Sequence, residues 1–273
     1  MIGRKLRKRY EIREHLGDGS TATVYKAFDE RLGRDVAIKM LLPHVRDTTR
    51  KRFFQEATAA AQLNHPNIMS IYDIDEDGGR NFLVVEFVEG VSLAYYVPSA
   101  PEVVIDLGVQ IALALQYAHE QGVLHRDIKP SNVLLDMRGE PYLTDFGLAR
   151  AVQSGESTMS ADVMLGTPHY ISPEQARGET DLDARTDVYS LGIVLYELVT
   201  GRVPFVGDTS YGIIHAHLTA PPPPPRDFNP DVTPAVEAVL LKALAKKREE
   251  RYSTLTELVE AYREAVSRRQ ISA

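Results

Sequence analysis

The sequence contains no cysteine, which excludes disulfide bonds, cysteine-ligated zinc and thiol catalysis. It also contains no run of about 18 consecutive apolar residues, the length that a membrane-spanning helix needs. No apolar stretch follows the basic residues near its start, as it would in a signal peptide. The sequence therefore predicts neither a membrane-spanning helix nor a signal peptide, no membrane contact is evident from it, and the lack of cysteine suits the reducing cytoplasm.

An excess of basic residues is also missing, because 31 Lys and Arg stand against 38 Asp and Glu, giving a formal net charge of −7. A chain with this balance is not expected to bind nucleic acid. The only strongly basic run covers residues 1–9, and we predict a solvated tail there, with contact to an anionic membrane as the weaker alternative. The 273 residues, 44% of them apolar, can form one compact unit.

The chain divides into a strand-rich part and a helix-rich part. One helix, at 48–63, interrupts four runs with strand composition, which are 23–28, 35–41, 68–74 and 81–87. After Gly90 apolar residues recur every three or four positions, which predicts helices. The segment 187–200 is apolar on nearly every face and predicts a helix at the centre of a larger lobe.

Two segments should be loops, namely 151–162, rich in Ser, Thr and charge, and the five prolines at 221–225. A proline run can be a polyproline II ligand for a partner domain. Inside a fold it is more often a stiff connector, and we adopt that interpretation.

A glycine-rich segment, from Leu16 to Val24, lies between two predicted strands. Gly17 and Gly19 would let backbone N–H groups approach phosphates, although a Gly-x-Gly turn alone is a weak signal. The following strand carries Lys39, whose ammonium would be costly to bury without an anionic partner. Glu56 in the next helix can pair with Lys39 while the remaining donors of the lysine hold phosphate oxygens.

The densest group of polar residues is His125-Arg126-Asp127-Ile128-Lys129-Pro130-Ser131-Asn132. Asp127 can accept a hydroxyl proton, and Lys129 can neutralise a phosphoryl group in transfer. Asn132 and the later Asp145, which opens Asp-Phe-Gly, offer the hard oxygen ligands that magnesium prefers. These residues predict phosphoryl transfer from a magnesium nucleotide.

Together these motifs resemble the eukaryotic-type protein serine/threonine kinase family over almost the whole chain. The resemblance implies an α+β, bilobal fold over residues 10–269, with a β-rich N-lobe at about 10–87 and a helical C-lobe at about 90–269. It implies ATP and Mg²⁺ as cofactors and protein substrates as partners. The implied ATP contacts are Leu16, Gly17, Gly19, Val24, Ala37, Lys39, Glu56, Glu86, Val88 and Leu134.

The resemblance also assigns an activation segment that ends in Ser172-Pro173-Glu174, where Ser172 replaces the usual alanine. Glu174 would pair with Arg251, and Asp187 would brace the catalytic loop. Lys129 and Thr167 are typical of serine/threonine kinases rather than tyrosine kinases.

Regulation by phosphorylation is predicted for the same segment. Arg126 directly precedes the catalytic aspartate, and we expect it to lack a lasting partner until a phosphate docks against it. The predicted phosphorylation site is Thr158 or Ser160, modified by another copy of the enzyme.

Two other functions share these motifs. A pseudokinase scaffold would keep the fold but typically lacks one of the catalytic residues, all of which are present here. A phosphotransferase for small molecules would not need the long segment 148–171. The phrases Gly90-Val91-Ser92-Leu93 and Ser172-Pro173-Glu174-Gln175 are most similar to bacterial members, many of them receptor-like and membrane-anchored, in which kinase-domain dimers are common.

Overall fold

A computed structural model describes residues 1–19, 22–43, 47–96, 101–146 and 168–271. Its N-terminal lobe is a six-stranded antiparallel sheet with the order β1-β2-β3-β4-β6-β5. One helix, α1 at Asp47–Ala60, packs on this sheet through Phe53 and Ala57. The strands are β1 Lys5–Leu6, β2 Tyr10–Asp18, β3 Ala22–Asp29, β4 Arg34–Leu41, β5 Ile71–Asp77 and β6 Arg80–Glu86.

Successive side chains of β4 point to opposite faces of the sheet. One face packs in the N-lobe core, and the other forms part of the interlobe cleft. Val36, Ile38 and Met40 point into one hydrophobic cluster with residues of β2, β3 and β6. Ala37 and Lys39 lie between them and therefore point to the opposite face. A strand whose side chains alternate in this way fixes its register, because a slip of one residue would expose the core.

The prediction that residues 1–9 form a solvated tail is wrong. Lys5 and Leu6 pair with β2, and Leu6 is completely buried in the N-lobe core. Arg9 forms a two-pronged ion pair with Asp29, at 2.9 and 2.6 Å. Arg7 contacts Asp75 of β5 at 2.9 Å, so the first and last strands of the sheet order approach each other in a curled sheet. The basic residues stay ordered because acidic side chains of the sheet neutralise them.

We expect Leu6→Ala to destabilise the protein by about 2–5 kcal/mol, as other buried leucine truncations do, because it empties part of a closed core. Urea unfolding of the variant and of Leu32→Ala, whose leucine is largely exposed, measures the difference. Equal stability of the two variants would show that the first strand is not packed in solution.

The C-terminal lobe is mainly helical. A small antiparallel sheet of β7 Gly90–Ser92, β8 Val133–Asp136 and β9 Pro141–Leu143 lies beside the interlobe cleft. The described helices are α2 Pro101–Glu120, α3 Pro173–Ala176, α4 Ala184–Thr200, α5 Ser210–Thr219, α6 Pro234–Ala243 and α7 Leu255–Ile271. The fold is thus the bilobal α+β architecture that the resemblance implied.

Helix α4 is the central helix of this lobe, as its sequence predicted. Thirteen of its 17 residues are buried, and it contacts α2, α6 and α7. Asp183 caps its start by accepting a hydrogen bond from the Arg185 N–H. Gly201 ends it in the left-handed conformation, with φ of 75°. Among the described helices, none is both long and apolar enough to cross a lipid bilayer.

Candidate active site

A cleft of about 1000 Å³ lies between the lobes and contains almost all of the predicted site residues. Apolar side chains from the sheet above and from the C-lobe strands below, including Val24, Ala37 and Leu134, form a slot. Glu56 is the one predicted ATP contact that does not line the cleft. The predicted residues that do line it are Leu16, Gly17, Gly19, Val24, Ala37, Lys39, Glu86, Val88, Arg126, Asp127, Lys129, Asn132, Leu134 and Asp145.

The ammonium of Lys39 pairs with Asp145 at 2.5 Å, at the floor of the cleft. Their side chains are 17% and 33% exposed. Burial acts to raise the pKa of Asp145, but the charge and hydrogen bond of Lys39 outweigh it, so this pKa lies below its usual range. Asp145 is therefore an anion, and its backbone φ of 64° is in the left-handed region.

Glu56 was the predicted partner of Lys39, whereas in the structure Lys39 forms an ion pair with Asp145. Both Lys39 and Asp145 project into the cleft, whereas Glu56 is on α1, outside the residues that line it.

Asp127 is fixed by two neighbours within its own loop. Lys129 Nζ donates to its carboxylate at 2.7 Å. The side-chain amide of Asn132 donates to the Asp127 carboxylate at 2.9 Å and to its backbone carbonyl at 2.8 Å. Because Nδ2 of Asn132 makes both bonds, its Oδ1 is oriented away from Asp127 and is available as a ligand. Predicted base, cation and metal ligand thus occupy one small cluster.

Asp187, at the start of α4, holds the catalytic loop from below, as predicted. Its carboxylate accepts hydrogen bonds from the backbone N–H groups of His125, at 2.9 Å, and Arg126, at 2.8 Å. His119 Nε2 contacts it at 2.7 Å. Burial acts to raise the pKa of Asp187, but these bonds and charges outweigh burial and lower it. Neither His119 nor His125 was assigned a role from sequence.

The sequence argument for a phosphate site assumed that Arg126 lacks a partner until a phosphate binds. Arg126 has a partner in this structure, so that argument does not hold. The predicted activation-segment residues Thr158, Ser160 and Thr167 lie outside the described residues. Loop phosphorylation therefore stays a prediction that depends on the loop sequence.

Comparison with known proteins decides the family. The protein kinase domain family matches residues 10–262. The chain belongs to the protein kinase family. A serine/threonine-protein kinase named PknB, from Mycolicibacterium smegmatis, is 44% identical to the kinase domain over 93% of this chain and 42% of the relative. PrkC of Bacillus subtilis, also a serine/threonine-protein kinase, is 42% identical over 94% of this chain and 40% of the relative.

A crystal structure of the PknI kinase domain from Mycobacterium tuberculosis matches with a TM-score of 0.79 and 28% identity, covering 98% of this chain and 99% of that one. The kinase domain spans about two fifths of the length of these curated relatives. Both of these relatives are named serine/threonine-protein kinases.

A buried ion pair ties the end of the activation segment of the kinase domain to its C-lobe. Arg251 donates to both carboxylate oxygens of Glu174, at 2.7 and 2.8 Å, and Thr186 adds a third bond at 2.9 Å. Burial acts to raise the pKa of Glu174, but Arg251 outweighs it and lowers this pKa below 4.5. The pairing confirms the structural roles that the resemblance implied for both residues.

We expect Arg251→Met to destabilise the kinase domain by about 3–5 kcal/mol, because it leaves the buried Glu174 carboxylate uncompensated. Adding Glu174→Gln should restore part of the loss, since the second change removes the buried charge. Urea unfolding at pH 7 measures both variants. A single variant as stable as the wild type would contradict the buried ion pair.

Proposed function

We propose that the kinase domain transfers the γ-phosphoryl group of magnesium ATP to serine and threonine hydroxyls through Asp127. The observation that carries the proposal is the cluster of Asp127, Lys129 and Asn132, which opens into the same cleft as Lys39 and Asp145. A pseudokinase would be expected to have lost part of this set.

The cleft suits a nucleotide in shape and in charge. The apolar slot formed by Val24, Ala37 and Leu134 fits a flat base, and Glu86, at the end of β6, and Val88 also line the cleft. Gly17 in β2 and Gly19 just after it line the cleft, where backbone N–H groups can approach phosphates. Lys39 supplies the positive charge for phosphate oxygens.

Two oxygen donors fit a magnesium ion. The amide of Asn132 is oriented by its bonds to Asp127, and the Asp145 carboxylate is held as an anion beside Lys39. When bound, magnesium ATP would supply the phosphoryl group and the positive charge that stabilises its transfer. Asn132 and Asp145 are the residues that we assign to the metal.

Asp127 and Lys129 act on the protein hydroxyl. The Asp127 carboxylate orients this hydroxyl and accepts its proton as the hydroxyl oxygen bonds to the γ-phosphorus and the bond between that phosphorus and the departing ADP breaks. Lys129, 2.7 Å from Asp127, lies close enough to stabilise the negative charge of the phosphoryl group in transfer. The hydrogen bond from Asn132 keeps the carboxylate in one orientation, which lowers the entropic cost of reaching the reactive geometry.

We further propose that one copy phosphorylates the activation segment of another, which requires at least a transient dimer. The support is the sequence of residues 153–162, which contains Ser154, Ser157, Thr158 and Ser160 and few apolar side chains. The cosubstrate is cytoplasmic ATP, so we place the domain in the cytoplasm, either free or as the intracellular part of a membrane-anchored protein.

One assay tests the transfer and separates the alternatives. The purified kinase domain is incubated with labelled magnesium ATP and a generic basic protein, followed by phosphoamino-acid analysis. We expect label on serine and threonine of the added protein and of the enzyme. Label on neither protein would support a pseudokinase, and label only on small metabolites would support a small-molecule phosphotransferase.

Direction of autophosphorylation is tested by mixing the wild type with a tagged Asp145→Asn copy, which is expected to be inactive. Label on Thr158 or Ser160 of the tagged copy, located by mass spectrometry, would demonstrate transfer between copies. An unlabelled tagged copy beside a labelled wild type would contradict it.

A further inference from the structure

The peptide unit that joins Arg126 to Asp127 is held at both of its polar atoms. Its carbonyl oxygen accepts a hydrogen bond from Gln175 Nε2 at 2.7 Å. Its N–H, which belongs to Asp127, contacts His125 Nδ1 at 3.3 Å. Arg126 has φ of 66°, a left-handed conformation that residues with a side chain rarely adopt. Contacts from outside the loop must therefore maintain this conformation.

Gln175 lies 49 residues further along the chain, in the short helix α3. Its Oε1 accepts a hydrogen bond from the Ser172 N–H at 3.1 Å, and its own N–H donates to Ser172 Oγ at 3.3 Å. These two bonds form a capping box. The side-chain amide thus accepts in the cap and donates to the catalytic loop, and a carboxylate in its place could only accept.

Helix α3 is a firm anchor for this contact. Ser172 is fully buried, and Glu174, adjacent to Gln175, forms the ion pair with Arg251. Gln175 itself lines the cleft together with Asp127. The contact consequently runs from an element tied into the C-lobe directly to the backbone that carries the catalytic carboxylate.

We propose that Gln175 is a positioning residue for Asp127. Its hydrogen bond to the Arg126 carbonyl sets the plane of the peptide from which the Asp127 side chain projects. In this way the docked end of the activation segment fixes the direction of the carboxylate. The inference rests on the proposed function, in which Asp127 orients the substrate hydroxyl and accepts its proton.

Gln175→Glu isolates this contact, because a glutamate at the third helix position preserves the capping box. It cannot donate to the Arg126 carbonyl and would place two acceptors against each other. We expect kcat for a peptide substrate to fall about ten- to a hundredfold, the order caused by a misplacement of about 1 Å. KM for ATP should stay within about twofold, since the phosphate contacts are unchanged.

Ser172→Ala is the matched control. It removes the Oγ acceptor of the cap but keeps the Ser172 N–H and the Gln175 contact with Arg126. We expect a lower melting temperature with kcat near that of the wild type. Methionine is about as long as glutamine but makes none of its side-chain hydrogen bonds. We therefore expect Gln175→Met to lower both kcat and the melting temperature.

Four outcomes would overturn the proposal: a Gln175→Glu enzyme with wild-type kcat, an equal fall of kcat in Ser172→Ala, a rise in KM with unchanged kcat, or unfolding of both Gln175 variants. The wild type and Asp127→Asn are assayed in parallel. If the wild type is inactive, or as active as Asp127→Asn, the proposed function of Asp127 fails. If Gln175→Glu is as active as the wild type while Asp127→Asn is inactive, only the proposed role of Gln175 fails.

Discussion

Asp145→Asn should abolish phosphoryl transfer while the kinase domain stays folded. The change removes the only negative charge among the two proposed magnesium ligands, yet asparagine can still accept a hydrogen bond from Lys39. A metal ion stabilises phosphoryl transfer by several kcal/mol. Because about 1.4 kcal/mol corresponds to a tenfold change in rate, we expect kcat/KM to fall about a thousandfold or more. Labelled-ATP incorporation and thermal melting measure the two properties.

Asp181→Asn is a suitable control, because it makes the same chemical change at a side chain that is 93% exposed and outside the cleft. Lys39→Met tests the other half of the pair and should also abolish transfer by removing the phosphate contact. Turnover near that of the wild type in Asp145→Asn would refute the nucleotide site. Unfolding would show that Asp145 has a structural role.

Asp127→Asn should lower kcat about a hundred- to ten-thousandfold, the range for a general base, while the affinity for ATP is mostly retained. Its carboxylate lies between Lys129 and Asn132 and is proposed to contact the hydroxyl rather than the nucleotide. Single-turnover kinetics and nucleotide titration separate the two effects.

A fall of less than about tenfold in Asp127→Asn would contradict the base assignment. Lost ATP affinity would instead place Asp127 on the nucleotide side of the cleft. Asp136→Asn provides the comparison, because Asp136 is an aspartate of the adjacent β8 that does not line the cleft.

Contacts between residues that lie a few positions apart in the chain could be predicted from the sequence. Asp127, Lys129 and Asn132 lie within six residues of one loop, so their mutual contacts follow from local chain geometry. The Glu174–Arg251 pair spans 77 residues and was implied by the family resemblance. No local pattern would have revealed it.

The predictions that the structure corrects concern contacts between elements that are distant in sequence, and these contacts depend on how helices and strands pack in three dimensions. Lys39 has two candidate carboxylates, and which one it meets depends on the placement of α1 relative to the cleft. Residues 1–9 have the composition of a tail, but the acidic side chains that hold them come from distant strands. Ser172-Pro173-Glu174-Gln175 has a capping pattern that could have been recognised, whereas the second bond of Gln175 could not.

The two non-glycine left-handed residues at the active site, Arg126 and Asp145, impose a trade-off between folding and catalysis. Each such backbone conformation costs about 1–2 kcal/mol relative to an ordinary helical residue. Glycine would relieve that cost at either position but would remove the side chain of the metal ligand or of the residue preceding the base. Selection for greater stability alone would therefore favour glycine at both positions and produce an inactive protein.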